Sequence, residues 1–416
     1  MRARRAGTAA LALAAAVAVG AGARGDVSPP PPLFSAGVVA GPDGVPMAVP
    51  PGAERGPVGA SGTRADRYAD LRADALRDLD LMVLDGGERD GAVLAGMHPA
   101  WKYTWTRDAA WVAAALAVSG RLEDARRVLG AVQRDELRRV AAGQPGWQAR
   151  YRPDGSGVPP DDRGRQLDGP GWVLWATSVF VDAGEASQQQ ATLEGLRPLV
   201  TLAARTAVEC LDPGSGLPPV SQDYWEVRTT RRTLGIAAPL LAGLRSAGPL
   251  LEKLGLDKDA RATRAAAARL DQAVERTFGA RGYPRHITGG AKDTSVAWLT
   301  PPFGPARPAS LSARDKAYAE AARAIGGVAP GADWEDNGVA WTPETAIFAL
   351  SFAASGQRAR AESVIDWLEA HRTAMGSLPE KVDGAGQPAS VAPLSWTAAA
   401  VLLTLAELDG SGVPHL

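Results

Sequence analysis

Residues 101–116 of the chain read Trp-Lys-Tyr-Thr-Trp-Thr-Arg-Asp-Ala-Ala-Trp-Val-Ala-Ala-Ala-Leu. In the second half of this stretch apolar side chains recur at three- and four-residue steps, as in Ala109, Val112 and Leu116, which is the spacing of a helix with a buried face. The many alanines suit close packing of that helix against other helices. The stretch therefore predicts a buried helix that begins directly after a loop of aromatic and charged residues.

The same arrangement, a polar loop followed by an amphipathic helix, recurs along the chain from Thr63 onward. Alternating β-branched runs are scarce, and no strict repeat of the kind that marks a solenoid occurs. About a dozen helices in sequential pairs predict an all-α fold, a helical toroid whose function is carried by the loops at one end. The candidate helices span residues 64–84, 106–119, 122–140, 170–183, 193–210, 229–245, 248–255, 258–277, 312–325, 342–355, 357–373 and 394–408.

The loop that precedes the helix at 106–119 holds three aromatic residues within five positions, Trp101, Tyr103 and Trp105, followed by Arg107 and Asp108. Two structural explanations are open: a polar residue of this loop caps the helix, and the arginine and aspartate form an exposed ion pair. The density of aromatic rings favours a stacking wall with polar groups that bind hydroxyls.

A second loop, residues 166–172, reads Gln-Leu-Asp-Gly-Pro-Gly-Trp. The segment from Asp168 to Pro170 is a turn signal, and the proline can open the following helix. A purely structural turn is as good an explanation of this loop as a contact with a ligand.

Two glutamates lie in further loops of this kind. Glu226 follows Trp225 in Ser-Gln-Asp-Tyr-Trp-Glu-Val-Arg at 221–228, and an indole beside a carboxyl excludes water and favours the protonated form. Glu380 lies in Gly-Ser-Leu-Pro-Glu-Lys-Val-Asp at 376–383, after a proline that ends the preceding helix. Each is a candidate catalytic carboxyl, although a Trp-Glu pair is often packing and a loop glutamate is usually solvated.

The beginning of the chain has the pattern of a secretory signal peptide at residues 1–23. Three arginines within the first five residues precede a short apolar run at 9–20 and small residues at 21–23. A buried first helix is the alternative explanation of that run. No second uninterrupted apolar run of about 20 residues follows, so we expect a secreted, extracellular protein with no membrane contact after cleavage.

Residues 24–62 are rich in proline and glycine and include four consecutive prolines at 29–32. This composition predicts an extended N-terminal arm or tether, and the sequence does not distinguish a free tether from an arm that wraps the domain. Residues 63–416 are predicted to form one domain, because closed helical toroids exceed the usual domain size.

Composition limits the classes of binding partner that we expect for this chain. The net charge of −1, with 45 basic and 46 acidic residues interspersed, argues against nucleic acid and anionic membranes. Cys210 is the single cysteine, so no intramolecular disulfide is possible. The 12 tryptophans, twice the number of tyrosines or phenylalanines, hint at carbohydrate, since indole faces stack on sugar rings. Large indoles also serve as core residues.

Four of these motifs together resemble a known family. Trp105-Thr106-Arg107-Asp108, Gln166 with Asp168-Gly169-Pro170, Asp223-Tyr224-Trp225-Glu226 and Leu378-Pro379-Glu380 occur in the order and spacing of the glucoamylase-like glycoside hydrolases of family 15. The resemblance extends from about Ala92 to Leu405. It implies an (α/α)6 barrel and an exo-acting hydrolase that releases glucose from the non-reducing ends of α-glucans or α-glucosides with inversion.

The resemblance also implies roles for particular residues. Glu226 corresponds to the general acid and Glu380 to the general base, while Arg107 and Asp108 correspond to the pair that binds the hydroxyls of the terminal glucose. No cofactor and no metal ion are expected. The substrate-binding residues are expected to be Trp101, Tyr103, Trp105, Arg107, Asp108, Asp168, Trp225, Arg323 and Trp341, and the Asp293-Thr294-Ser295 segment is expected to be architectural.

The chain departs from the family beside the bond that is cleaved. Val227 stands where many fungal members have a second glutamate, and Asp162 where those members have a tryptophan. Preference for linkage and chain length is therefore left open, as is the oligomeric state. Two other functions are also open: a sugar-binding protein that has lost catalysis, and a phosphorylase on a related barrel.

Overall fold

Twelve α-helices dominate the part of the chain that the computed structural model describes, residues 28–42, 44–54 and 67–416. The predicted signal peptide at 1–23 lies outside these residues. The helices are α1 Ala69–Met82, α2 Thr106–Val118, α3 Leu122–Ala141, α4 Gly169–Ala183, α5 Ala186–Gly195, α6 Arg197–Glu209, α7 Leu234–Lys253, α8 Asp257–Thr277, α9 Pro308–Ala321, α10 Thr342–Ala354, α11 Arg358–Ala370 and α12 Ser395–Asp409.

The helices form two concentric layers. The inner layer contains α2, α4, α7, a 3-10 helix at Thr294–Leu299, α10 and α12; each contacts the next, and α12 returns to α2. The outer layer places α3 on α2, α6 on α4, α8 on α7, α9 on the 3-10 helix, α11 on α10 and α1 on α12. The predicted helical toroid is therefore confirmed.

The division into layers follows from the sequence of each helix. In α2 every residue from Thr106 to Ala117 is buried, and α4, α7, α10 and α12 are also apolar on all sides. A helix without a polar face is stable only when it is surrounded by other elements. The outer helices α3 and α8 instead have a charged face toward solvent.

Tryptophans fill the centre of the ring. Trp111 lies 5.3 Å from Trp172 and 5.2 Å from Trp175 between ring centroids, and Trp298 lies 5.0 Å from Trp172. All four indoles are fully buried. Much of the tryptophan excess is thus core packing and gives no information about carbohydrate, because a ring of six elements encloses a space that only large side chains fill.

Several helix predictions differ from the structure. Helix α5 was not predicted, and the segment predicted at 193–210 covers the end of α5 and all of α6. The segment predicted at 312–325 runs past the end of α9 at Ala321. The segments 229–245 and 248–255 form the single helix α7, which continues through Pro239 and Pro249. Each internal proline removes one helical hydrogen bond, but burial of nearly the whole helix outweighs that loss. By length and hydropathy α7 is also long and apolar enough to span a membrane. In this structure 89% of its apolar 18-residue stretch is buried within the domain.

A five-stranded sheet that the sequence did not predict lies at one end of the toroid. Its strands are β1 Leu33–Ala40, β2 Pro46–Val49, β5 Ala340–Trp341, β6 Lys381–Val382 and β7 Pro388–Ala392, while β3 Thr104–Trp105 pairs separately with β4 Arg150–Tyr151. The order in the sheet is β2-β1-β7-β6-β5, with β1 parallel to β7 and the other pairs antiparallel. Strands β1 and β2 come from residues 33–49, so this part of the N-terminal segment is paired with the domain.

Candidate active site

The candidate residues gather at the end of the toroid where inner helices begin. Arg107 and Asp108 lie in the first turn of α2, Asp168 directly precedes α4, and Glu344 lies in the first turn of α10. Because sequential inner helices are separated by an outer helix that returns the chain, their N-termini share one end. The positive ends of the helix dipoles make this end favourable for carboxylates.

Glu226 lies in a turn with a left-handed backbone, φ 55°, closed by a hydrogen bond from its N–H to Asp223 O at 2.8 Å. Its carboxylate accepts a hydrogen bond from Trp105 Nε1 at 2.5 Å and lies 3.6 Å from Arg107 Nη2. Its second oxygen forms an ion pair with Arg163. A left-handed glutamate costs about 1–3 kcal/mol, a strain typical of functional sites.

The indole that contacts the Glu226 carboxylate is that of Trp105, whereas the sequence suggested Trp225. Trp225 turns the other way and packs between Arg285, whose Cζ lies 3.7 Å from its ring centroid, and Trp334 at 4.9 Å. The left-handed turn at Glu226 separates the two neighbouring side chains. Adjacency in sequence therefore misidentified the group that surrounds this carboxyl.

Glu380 is held through both its side chain and its backbone. Trp101 Nε1 donates a hydrogen bond to Glu380 Oε1 at 3.4 Å. Ser390 Oγ donates to Glu380 Oε2, and Lys381 Nζ lies 3.5 Å from the same oxygen. The backbone carbonyl of Glu380 accepts bonds from the N–H of Thr342 at 3.0 Å and its Oγ1 at 3.1 Å. These contacts hold the Glu380 carboxyl group in a fixed orientation.

One short segment reaches both glutamates. Trp101 contacts Glu380 and Trp105 contacts Glu226, and four residues of extended chain span at most about 14 Å. The two glutamates are more than 150 positions apart in the sequence, but the loop before α2 contacts both carboxyl groups through its two indoles.

Arg107 is the centre of the charge network between the helix ends. Its guanidinium lies 3.2 Å from Asp108 Oδ2 and 3.9 Å from Asp168 Oδ2, and its Cζ lies 4.4 Å from the ring centroid of Trp396. Burial lowers the pKa of Arg107, but the neighbouring carboxylates Asp108, Asp168 and Glu226 raise it by a larger amount. The guanidinium therefore stays charged.

The two aspartates beside Arg107, Asp108 and Asp168, differ in the groups that they contact. Burial raises the pKa of Asp108 and of Asp168 to about 6, although Arg107 opposes the shift in both. Asp168 is 1% exposed and accepts from Trp172 Nε1 at 3.3 Å, so it lies behind Arg107 and orients it. Asp108 is the carboxyl of the pair that lies nearer to Glu226, whose charge raises its pKa further.

An arc of aromatic rings connects the loops of the two glutamates. Trp225 is followed by Trp334 and then by Trp341, with centroids 4.9 and 5.2 Å apart, and Lys381 Nζ lies 3.9 Å from the centroid of Trp341. Of this arc the sequence predicted Trp225 and Trp341. Trp334 lies in the acidic segment Asp-Trp-Glu-Asp, which had no motif to identify it.

Two predicted substrate-binding residues lie one layer further out. Arg323 Nη2 donates to the carbonyls of Trp334 at 3.3 Å and Glu335 at 3.1 Å, so its guanidinium supports the loop of Trp334. Tyr103 packs edge-on against Trp105 at 6.4 Å, and Arg150 Cζ lies 4.4 Å from its ring centroid.

A third glutamate, Glu344, was not predicted from the sequence. It is 2% exposed, and burial together with the negative charge of Glu380 raises its pKa to about 8, against the opposing effects of Arg107 and Lys381. Its Oε2 has no hydrogen-bond partner among the described residues. Thr-Pro-Glu at a helix start resembles any capped N-terminus, so the sequence had no signal for it.

Unpaired buried polar atoms are concentrated at this end of the toroid. Buried polar atoms are nearly always hydrogen-bonded in proteins, and a polyhydroxylated ligand can offer donors and acceptors to all of them. Within the described residues no group of three or more histidine, cysteine, aspartate or glutamate side chains is placed to hold a metal ion. Among the described residues, buried polar atoms without a hydrogen-bond partner include Arg107 Nε, Asp168 Oδ1, Trp225 Nε1, Glu344 Oε2 and Trp396 Nε1.

Two surface cavities, of about 240 Å³ and 170 Å³, lie away from these residues. The larger is lined by Asp80, Arg121 and Arg127 and the smaller by Thr201 and Arg205. The chemistry described above is concentrated elsewhere, at the inner helix ends, where Arg163 covers one side of Glu226.

The sequence matches no protein-family model and no curated protein. Solved structures share the fold. A wild-type glycosidase has a TM-score of 0.69 and 23% identity, covering 84% of this chain and 99% of that one. The family 15 glucoamylase from Hypocrea jecorina has a TM-score of 0.67 and 17% identity, covering 83% of this chain and 72% of that one.

A bacterial glucoamylase complexed with acarbose has a TM-score of 0.64 and 16% identity, covering 82% of this chain and 56% of that one. At these identities the likeness establishes the fold alone. The predicted (α/α)6 architecture is confirmed.

Proposed function

We propose that the chain is a glycoside hydrolase of the glucoamylase type, which releases glucose from the non-reducing ends of α-glucans or α-glucosides with inversion. The observation that carries the proposal is the pair Glu226 and Glu380, held at opposite ends of the segment from Trp101 to Trp105. Inverting glycosidases use two carboxyls about 6.5–9.5 Å apart, with room for a water molecule. Motif order and fold both support this assignment.

In this mechanism Glu226 is the general acid and protonates the glycosidic oxygen, while Glu380 is the general base and deprotonates the attacking water. Ser390 and Lys381 bond to the Glu380 carboxylate, which suits a base. In the structure the second oxygen of Glu226 is ion-paired with Arg163. Arg163 is 37% exposed, and we propose that it moves aside when substrate binds.

The substrate end of the site is assigned to the buried side of the cluster. Arg107 and Asp108 would bind the hydroxyls of the terminal glucose, and an enclosed end explains exo action. One structural neighbour is a glycosidase variant in complex with glucose, and another is a glucoamylase with acarbose. No cofactor enters this mechanism, and secretion, with residues 63–416 as the catalytic domain, belongs to the same proposal.

The leaving-group side differs from the fungal pattern. Val227 removes one carboxylate beside the acid, and Asp162 is followed by Arg163, which occupies the outer oxygen of Glu226. The aglycone would therefore meet an arginine where fungal members offer an indole. Linkage preference is the property most affected by this change.

The test uses Glu226→Gln and Glu380→Gln with maltose, isomaltose, dextran, trehalose and starch. Each substitution should lower kcat by at least about 100-fold, since general acid and base catalysis contribute ~100- to 10,000-fold. Glu123→Gln, at an exposed ion pair of α3, is the control and should retain full activity.

The anomer released by wild-type protein, followed by NMR, should be β-glucose. Release of α-glucose, or full turnover by Glu226→Gln, would contradict the mechanism. Dependence on added phosphate would indicate a phosphorylase, and binding of glucose without turnover of any of the five substrates a sugar-binding protein.

A further inference from the structure

We propose that the N-terminal arm segment, residues 28–42 and 44–54, is a working part of the active site, because strand β1 positions Glu380 through Ser390 on one side and Trp101 on the other. The inference rests on the proposed function, in which Glu380 is the base. It assigns to the arm a role in catalysis that goes beyond covering the domain surface.

The first connection passes through β7. Leu33 lies opposite Ser390 in the parallel pairing of β1 and β7, and Ser390 N donates to Pro32 O at 3.1 Å. Ser390 has a left-handed backbone, φ 67°, which costs about 1–3 kcal/mol and persists only where neighbours hold it. The same residue donates its hydroxyl to Glu380 Oε2, so the arm holds a strained donor against the base.

Ser35 fixes the far side of the same strand. Its Oγ donates to Ala392 O at 3.0 Å and accepts from Ala392 N at 3.3 Å. Between these two clamped residues lies Val391, whose carbonyl accepts the N–H of Glu380 at 2.8 Å. The backbone of the base is therefore bonded to a strand that β1 holds at both ends.

The second connection passes through stacked rings. Phe34 alternates with Ser35 along β1, so its ring projects to the opposite face. It stacks on His98 with centroids 4.5 Å apart and an interplanar angle of 29°, and lies 6.1 Å from Trp101. Trp101 bonds the other oxygen of Glu380. Both side-chain oxygens of the base thus have a donor that contacts the arm directly or through one residue.

The arm is anchored beyond these contacts. Ser28 N donates to Glu335 Oε1 at 2.7 Å, and Asn337 Nδ2 donates to Ser28 O at 3.4 Å, in the loop that carries Trp334. Thr373 Oγ1 donates to Ala36 O at 2.6 Å, shortly before the Glu380 loop. The arm thus connects the loop of Trp334 to the hairpin of the base.

Positioning predicts a particular kinetic pattern. Neither Phe34 nor Ser35 is proposed to touch the substrate, so their loss should lower kcat with little change in KM. The effect should be equal for maltose and for α-glucosyl fluoride, because fluoride departs without a proton from Glu226 but water must still be deprotonated by Glu380. A variant impaired in the general acid would instead lose activity on maltose and keep its activity on α-glucosyl fluoride.

The experiment compares Phe34→Ala, Ser35→Ala and Ser35→Thr in the full chain. We expect kcat to fall about 10- to 100-fold in the alanine variants, as for a displacement of about 1 Å, with KM within about twofold. Ser35→Thr keeps the hydroxyl and should restore most of the activity. Met47→Ala, on β2 of the same arm and 48% exposed, is the matched control and should match wild type.

The outcomes separate the two proposals. If wild-type protein hydrolyses neither substrate, the proposed function fails. If wild-type protein hydrolyses both and the alanine variants match Met47→Ala in kcat, the role of the arm is overturned while the function stands. Phe34 is 38% exposed and its truncation leaves every strand hydrogen bond intact, so this variant tests the proposal even where Ser35→Ala does not fold.

Discussion

Trp105 Nε1 donates a hydrogen bond to one oxygen of Glu226, opposite the oxygen that is ion-paired with Arg163, and so helps to orient the proposed acid. Trp105→Phe keeps an aromatic ring but removes the donor, and a hydrogen bond to a charged group contributes about 1.5–3 kcal/mol. We expect kcat for maltose to fall about 10- to 100-fold. With p-nitrophenyl α-glucoside, whose leaving group needs little protonation, the loss should be much smaller.

The control for this prediction is Trp367→Phe, which removes the indole bond to Ile325 O at 2.7 Å on the outer helix α11. It should lower the melting temperature without changing the ratio of the two activities. Equal losses on maltose and the aryl glucoside in Trp105→Phe would show that Trp105 does not act through the acid.

Glu344 should affect the pH dependence of stability more than any surface carboxyl. Its pKa is raised to about 8 from a usual 4.5, so the folded state keeps a proton that the unfolded state loses between these values. The stabilisation is therefore complete at pH 4 and is lost as the pH rises through 8. Glu344→Gln removes this dependence and should raise the free energy of unfolding at pH 9 by on the order of 5 kcal/mol relative to wild type.

Urea unfolding of wild type, Glu344→Gln and the exposed control Glu123→Gln at pH 5, 7 and 9 measures this effect. Parallel pH profiles for wild type and Glu344→Gln would show that Glu344 titrates normally.

Among individual residues, the sequence predicted site residues that belong to contiguous motifs and missed those that only the folding of the chain brings next to them. Glu226, Glu380, Arg107 and Asp108 lie in recognisable segments. Arg163 and others reach the site from loops with no pattern of their own. Contacts across more than 50 positions, such as Arg163 with Glu226, depend on loop conformation that local residue types do not encode.

Between elements, the inner helices α4 and α7 approach each other at glycines. A Cβ added to Gly243 of α7 would lie 2.5 Å from Gly171 Cα in α4, so the two backbones are in direct contact. Gly243→Ala must push the helices apart, and such overpacking costs about 1–3 kcal/mol. We expect a lower urea midpoint with an unchanged slope.

Gly130→Ala on α3 is the matched control, since a Cβ there meets nothing within 4 Å. Removing a glycine from a helix interior should stabilise by about 0.5–1 kcal/mol. If Gly243→Ala were also stabilising, the contact between α4 and α7 would be looser than the structure shows.

Most helices were predictable from local sequence, because outer helices such as α3 have one apolar and one charged face and inner helices such as α2 are long alanine-rich apolar segments. The sheet was not, because four of its five strands have five residues or fewer and its partners are remote: Leu33 pairs with Ser390. The 3-10 helix at Thr294–Leu299 was also missed, since six residues are too few for a periodic signal.

For the whole molecule, the pKa shifts of the buried carboxyls favour stability at mildly acidic pH. Among the described residues, seven carboxyls have pKa values raised by burial to between about 6 and 8, so the folded state holds protons that the unfolded state releases near pH 4. Exposed partners of arginine, such as Asp90 and Glu123, have lowered pKa values and contribute stability above pH 4. The raised group comprises Asp78, Asp108, Asp135, Glu136, Asp168, Asp293 and Glu344.

The two sets of carboxyls change the stability of the folded state in opposite directions as the pH rises, and by different amounts. Stability from the raised group is present below about pH 4 and is lost as pH rises from 5 to 8, whereas that from the exposed pairs is lost only as pH falls below 4 and is small. The melting temperature should therefore be highest near pH 5 and lower by roughly 5 °C or more at pH 8. Calorimetry between pH 4 and 9 measures this, and a maximum at pH 7–8 would mean that the buried carboxylates are ionised and paired in the folded protein.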